Sequence, residues 1–257
     1  MTLWVQFEHR GEAGFGTLEG DAVTVHRGDL FADAAPTATV LPLGEVRLLM
    51  PVRPSKMIAL WNNFHELGAK LGVSAPSHPL YFLKAPNAFA DPGAEIRRPA
   101  SYAGRVVYEG ELGIVIGRTC RDASPDEALA CVFGYTCVND VTASDLLNEE
   151  PSFPQWVRAK GFDGFGPLGP AVATGLDPAT LRARTILDGT VRQDYPIADM
   201  VFPVPELVSR LSRDMTLFPG DVISCGTSVG VGTMKGPANT VEVEIEGIGR
   251  LRNTFVG

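Results

Sequence analysis

A β-rich α+β fold is predicted by three features of this 257-residue chain. Glycine is plentiful at 28 residues, strand-like apolar runs are short, and turn signals recur about every ten residues. A hydrophobic share of 45% is ample for one large core, or one plus a small appendage. The first 51 residues read as a small N-terminal β domain. There "LWVQFEH", "FGTLEG" and "AVTVHRG" are strand-like pieces parted by "RGEAG" and "EGD" turns. In "MPVRPSK", Pro51 and Pro54 oppose regular structure and mark a linker. Residues 52–257 then form the larger unit.

Few helices are expected. One covers about 62–72, "NNFHELGAKLG", and ends at Gly72. A second starts with Ser124 as cap, Pro125 at the first position and Glu127 completing a capping box, with Gly134 as its stop. A third follows Pro205 in "PELVSRLSR". After it, "PGDVISCGT" reads as a turn and a strand, and "NTVEVEIEGIGRLRNTFV" alternates as a hairpin.

The formal net charge of -8, with no Lys/Arg cluster, argues against a nucleic-acid surface. No apolar run approaches the roughly 18 residues of a membrane span. "MTLWVQFEHRG" lacks the basic segment and apolar core of a signal peptide. Cys120, Cys131, Cys137 and Cys225 show no metal-like spacing. They are expected as buried thiols of a reducing compartment, which places the protein in the cytoplasm.

Chemistry is suggested by "VYEGELGIVIG" (107–117). Side chains two apart on a strand share a face, so Glu109 and Glu111 project together and repel. The pair is either the solvated face of an edge strand or one side of a cation site. Downstream, "FGYTCVNDVTASDL" is strand-like and carries Asp140 at its end. Three carboxylates without a nearby His or Cys cluster would suit a hard cation, Mg²⁺, Mn²⁺ or Ca²⁺, rather than zinc.

The runs "YEGELGIVIG", "GYTCVNDVTASD", "AKGFDGFGPLGP", "MTLFPGDVISCGTSVGVG" and "VEVEIEGIGRLRN" occur in this order. Together they resemble the fumarylacetoacetate hydrolase family over about residues 52–257. The likeness is to the branch holding homoprotocatechuate-pathway isomerase/decarboxylases and acylpyruvate hydrolases. It implies a rolled mixed β-sheet catalytic domain, a homodimer, and one divalent metal held by Glu109, Glu111 and Asp140. It also implies a small 2-oxo acid as substrate, cleaved or isomerised through an enolate. By the same likeness, Lys160 supports developing negative charge, while Lys84 and Thr227 sit near the substrate.

His65 matches the family's base on a short helix that closes over the site. In Trp61-Asn62-Asn63-Phe64-His65-Glu66-Leu67-Gly68, however, Gly68 stands where the dyad glutamate belongs. Glu66 is the catalytic candidate left to partner His65, though it is one residue away and on a regular helix neighbours at i+1 do not share a face. Asn62 or Asn63 would then orient the substrate, and Trp156 or Arg158 would meet its distal group. Hydrolysis of a diketo acid needs an activated water and hence a base. Decarboxylation needs mainly the electron sink, so the missing glutamate tilts the expectation towards decarboxylation or keto–enol isomerisation. A non-catalytic family member is the remaining alternative.

Three other motifs fail on context. "GTSVG" with Ser228 lacks the helix of a nucleophile elbow. "GVGTMKG" lacks the Gly-Lys of a phosphate loop, and "HELGA" lacks the second histidine of a zinc-protease helix.

Overall fold

A computed structural model describes residues 1–257. The chain opens with β1 (Thr2–His9), β2 (Glu12–Glu19), β3 (Ala22–Arg27), β4 (Ala35–Pro42) and β5 (Arg47–Leu49). Next come β6 (Met57–Trp61), α1 (His65–Leu71), β7 (Leu80–Lys84), β8 (Phe89–Ala90), β9 (Glu95–Arg97) and β10 (Val106–Tyr108). The middle holds β11 (Gly110–Ile116), α2 (Pro125–Ala130), β12 (Val132–Asn139), β13 (Thr142–Ala143), α3 (Trp156–Lys160) and β14 (Gly166–Thr174). Last are β15 (Arg182–Leu187), β16 (Thr190–Pro196), α4 (Val204–Asp214), β17 (Val222–Ser224), β18 (Gly232–Thr233), β19 (Ala238–Ile245) and β20 (Gly249–Val256).

The large sheet runs β4-β3-β2-β1-β14-β12-β11-β17-β6-β7, with β5 on β1 and β8 on β14. It is mixed, because β6 pairs with β17 and β8 with β14 in parallel. The N-terminal meander joins it directly, since Thr2, Leu3 and Trp4 of β1 pair with Thr174, Ala173 and Val172. A second sheet, β16-β15-β19-β20-β9, lies across the first, and β13-β10-β18 forms a small third one.

Between the two larger sheets lies the main core, 29 buried residues that include Leu112, Ile114 and Ile116 of β11 and Val243 and Ile245 of β19. Helix α4 closes it with Val204, Leu207, Val208 and Leu211, spaced i, i+3, i+4, i+7 on one buried stripe. On the opposite face of β11, Val115 packs with Val138, Leu168 and Val172, and Trp4 and Phe31 of the N-terminal segment cover them. Strand β11 is thus buried on both faces and paired on both edges. That arrangement rules out the solvated edge strand considered for the glutamate pair.

Several local expectations hold. Gly72 ends α1 in the left-handed conformation, φ 69°. The Glu127 carboxylate accepts from the Ser124 N–H (2.8 Å) and hydroxyl (2.7 Å) at the start of α2. The final hairpin pairs Ala238–Ile245 with Gly249–Val256. All four cysteines are free, and Cys120, Cys137 and Cys225 are buried as expected, whereas Cys131 at the end of α2 is only half-buried; no helix is long and apolar enough to cross a membrane.

Two helix boundaries differ from the expectation. Helix α1 starts three residues late, because Asn62 is left-handed (φ 55°) and Phe64 is extended. Helix α2 stops at Ala130, since Val132 and Phe133 already belong to β12, and Gly134 lies inside that strand. The reason for glycine there is strand packing, for a Cβ at 134 would lie 2.4 Å from the Ala173 carbonyl oxygen of β14. Gly134→Ala should therefore destabilise the fold by about 1–3 kcal/mol, as overpacking does. Calorimetry would read it as a lowered melting temperature, and an unchanged one would mean that β12 and β14 part without cost.

Candidate metal centre

The strand register builds the acidic site. Gly110 pairs with Asn139, so the end of β12 arrives beside the glutamates and delivers Asp140 to them. The Asp140 N–H donates to the Glu109 carbonyl at 2.8 Å. Glu109 lies just before β11 and Glu111 just inside it. One carboxylate oxygen from each of Glu109, Glu111 and Asp140 lies within 4.8 Å of the others.

Gly110, between the two glutamates, is clamped from both sides. Its N–H donates to Gln193 Oε1 (3.0 Å), and its carbonyl accepts from Tyr195 Oη (2.5 Å) and Thr227 Oγ1 (3.1 Å). A Cβ at this position would lie 2.0 Å from Thr185 Oγ1, so only glycine fits. This glycine, flanked by two acids in an apolar strand, was the available signal for Gln193 and Tyr195, which sequence reasoning missed.

Each carboxylate has a different environment. Glu111 is fully buried; its Oε2 accepts from the Ser224 hydroxyl and from the Gly226 N–H at 2.9 Å. Its Oε1 is buried with no hydrogen-bond partner. Burial, then the charges of Asp140 and Glu109, push its pKa well above the usual carboxylate range. Glu109 accepts from Thr142 Oγ1 (2.7 Å) and from Lys160 Nζ (3.0 and 3.1 Å). Burial raises its pKa too, with Lys160 opposing.

Burial would also raise Asp140, but Lys160 and Lys84 outweigh it and hold this carboxylate below its ordinary value. Lys160 Nζ donates to Asp140 Oδ2 at 2.5 Å and Lys84 Nζ to Oδ1 at 2.5 Å. For Lys84 burial wins and the pKa falls. For Lys160 burial is overcome by Asp140, Glu109 and Glu111, which hold it above its ordinary value and keep it an ammonium.

Three carboxylates thus face two ammonium groups, leaving negative charge in surplus and one buried oxygen unpartnered. Orphaned buried acceptors are rare in folded proteins. An all-oxygen donor set of this charge fits a hard divalent cation.

Glu109 and Lys160 line a cavity of about 210 Å³. Its other walls are Leu60, Trp61, Leu67, Leu71, Leu147, Trp156 and Val231, with Asn62 and Thr227 as further polar groups. Helix α3, which sequence reasoning did not foresee, carries both Trp156 and Lys160.

The expected base is not brought there. Leu67 and Leu71 turn one face of α1 to the cavity, and His65 lies about 200° round the helix from Leu67. His65 and Glu66 are both exposed, and the Glu66 N–H donates to Asp199 Oδ2 at 3.0 Å. At Gly68 a Cβ would meet Asn62 Oδ1 at 3.0 Å and the Val73 carbonyl at 3.3 Å. No His–Glu pair is assembled.

The expected substrate contacts divide. Asn63 is a buried pin, donating to the Cys225 carbonyl (2.9 Å) and accepting from the Phe202 N–H (3.1 Å). Asn62 is the asparagine that faces the cavity, donating to the Ser74 carbonyl at 2.9 Å. Arg158 is exposed and paired with Glu149 at 2.6 Å, outside the cavity lining. Lys84 is buried beneath Asp140, also donating to the Lys160 carbonyl at 2.6 Å, and so braces one of the three carboxylates from below. Thr227 lines the cavity, but its hydroxyl already donates to Gly110 and accepts from Gln193 Nε2 at 2.8 Å.

Known proteins share this arrangement of chain. Protein Rv2993c of Mycobacterium tuberculosis is 43% identical over 218 residues, 84% of this chain and 80% of that one. The oxaloacetate tautomerase YisK of Bacillus subtilis is 35% identical over 224 residues, covering 82% and 73%. Among solved structures, a 2-hydroxyhepta-2,4-diene-1,7-dioate isomerase of Mycobacterium marinum superposes with a TM-score of 0.90 at 36% identity, covering 100% and 98%. A maleylpyruvate hydrolase from Sphingobium sp. SYK-6, in complex with manganese(II) and pyruvate, superposes with a TM-score of 0.81 at 28% identity, covering 100% and 99%. Residues 3–51 match the Rv2993c-like N-terminal family. Residues 56–256 match the fumarylacetoacetate (FAA) hydrolase C-terminal family, and the chain belongs to the fumarylacetoacetate hydrolase family.

Proposed function

We propose that the protein is a divalent-metal-dependent enzyme that decarboxylates a small 2-oxo acid through its enolate. The observation that carries this reading is the convergence of three carboxylates, one of them with an orphaned oxygen, beside a cavity that contains no imidazole. Glu109, Glu111 and Asp140 would hold Mg²⁺ or Mn²⁺, which supplies a Lewis acid for negative charge developing on a carbonyl oxygen.

The chain's own groups do the rest. Lys160 stays an ammonium whose donors reach both Glu109 oxygens and Asp140, and a substrate oxygen in the cavity would take over one of the two longer Glu109 contacts. Lys84 fixes Asp140 from below. The tryptophan and leucine walls exclude water, which strengthens the charge interactions within. Loss of CO₂ from a β-carboxylate needs this electron sink but no base. Hydrolysis needs a base for water; Glu109 would be committed to the cation and to Lys160, and neither the Asn62 carboxamide nor the engaged Thr227 hydroxyl can take a proton there. Enol–keto tautomerisation of the same acid is the second reading. The Lys160 ammonium, a proton donor lining the cavity, and the likeness to a tautomerase and an isomerase favour it.

The purified protein with Mg²⁺ or Mn²⁺ should release CO₂ from oxaloacetate above the uncatalysed rate and lose that activity on chelation. Lys160→Met should lower kcat by about 10²- to 10³-fold, as loss of one charge-stabilising donor does. Turnover that survives chelation would overturn the assignment, as would acid release from acetylpyruvate at a comparable rate. Accelerated ketonisation of enol-oxaloacetate without CO₂ would select tautomerisation. Calorimetric titration with Mn²⁺ reads the support beneath Asp140 separately. There Lys84→Met should weaken binding by about 10- to 100-fold, the usual cost of losing the group that orients a ligand.

A further inference from the structure

Resting on the reading of the centre as a 2-oxo-acid site, we infer that the group the substrate carries beyond its reacting 2-oxo and β-carboxylate carbons is uncharged and apolar rather than a further carboxylate. Seven apolar side chains, among them Trp61, Leu67, Leu71, Leu147, Trp156 and Val231, wall the cavity around Glu109 and Lys160. Trp156 is fixed in that wall, tilted against Trp61 and stacked on Phe82, each at 5.6 Å between ring centroids. Flat rings held in this way offer a tail contact area at little entropic cost.

Cations are as informative as the walls. Lys160 is matched by Glu109 and Asp140, and Lys84 is sealed beneath Asp140. Arg158 points outside and is paired with Glu149. Arg192 and Lys235 line a second cavity, of about 550 Å³, that shares only Val231 with the first. A carboxylate set against this wall would lose its hydration and gain no partner, whereas an apolar tail gains by leaving water.

The test compares two inert 2-oxo-acid mimics by calorimetric titration of the Mg²⁺-loaded protein, with no turnover involved. N-phenyloxamate and N-oxalylglycine share one head group and differ in the tail, a phenyl ring against a carboxymethyl group. The phenyl compound should bind at least about tenfold more tightly. Trp156→Arg, with its fold verified by circular dichroism, should reverse that order. Oxamate tests the head group alone. If it binds while N-oxalylglycine equals or exceeds N-phenyloxamate, the inference about the tail is overturned and the reading of the head survives. Loss of that N-oxalylglycine affinity in Arg192→Gln would then place the carboxylate behind Val231. If none of the three binds the loaded protein, the site reading fails and the inference falls with it.

Discussion

Asp140 is held at both oxygens by buried ammonium groups, Lys84 on one and Lys160 on the other, each at 2.5 Å. Most of the site's geometry depends on this contact. Two buried lysines would be costly alone, and three buried carboxylates would repel one another. Interleaved, Asp140 is kept acidic and Lys160 is kept protonated by the acids around it, while burial pushes Lys84 down and Glu109 and Glu111 up. Removing one member of such a cluster leaves an uncompensated buried charge, at a typical cost of about 3–5 kcal/mol. By formal count the carboxylates outnumber the ammonium groups three to two, and Glu111 Oε1 is left without a partner. Scaffold and ligand demand are the same arrangement.

Sheet geometry brings these groups together. β11 is central, paired with β12 and β17 and buried on both faces. Glu111 on this strand has no route to bulk water, and Glu109 just before it opens only on the cavity, so their hydrogen bonds come from the elements beside them. For Glu111 they come from Ser224 of β17 and from the turn at Gly226. For Glu109 they come from Thr142 of β13 and from Lys160 at the end of α3. Slipping β12 by one residue would flip its side chains between faces and carry Asp140 away from Glu109. The clamp on Gly110 by Gln193, Tyr195 and Thr227 opposes such a slip from the other sheet.

Much of this was legible in the sequence. Alternation marked the last hairpin, a capping box marked the start of α2, and the glutamate spacing marked the acidic site. What escaped depended on tertiary contacts. Gly134 looks like a helix stop, yet it is glycine because the Ala173 carbonyl of β14 approaches it. Helix α3 has only five residues, too few for a periodic signal, and its position follows from packing against β7 and β13. Lys84 matched a position near the substrate, but only the fold shows that it lies beneath Asp140 and is sealed from the cavity. His65 is the sharpest case. Its sequence neighbourhood suggested a base, and the rotation of a seven-residue helix turned it outward.

That rotation is tied to Asn62 and Gly68. Asn62 occupies left-handed backbone at φ 55°, a conformation that asparagine tolerates better than most residues. Its carboxamide reaches the Ser74 carbonyl beyond the end of α1, and its Oδ1 lies 3.0 Å from where a Cβ on Gly68 would stand. The two residues therefore exclude alternatives together. A glutamate at 68 would have to displace the Asn62 side chain and press on the Val73 carbonyl, and the His65 one turn before it would still look into solvent rather than into the cavity. Restoring the residue type at one position would not restore a dyad, because the entry turn into α1 sets which face of the helix meets the cavity. With Leu67 and Leu71 on that face, the lid presents hydrocarbon where a base would be needed. That hydrocarbon face is the ground on which we propose electron-sink chemistry rather than water activation at the floor of the same cavity.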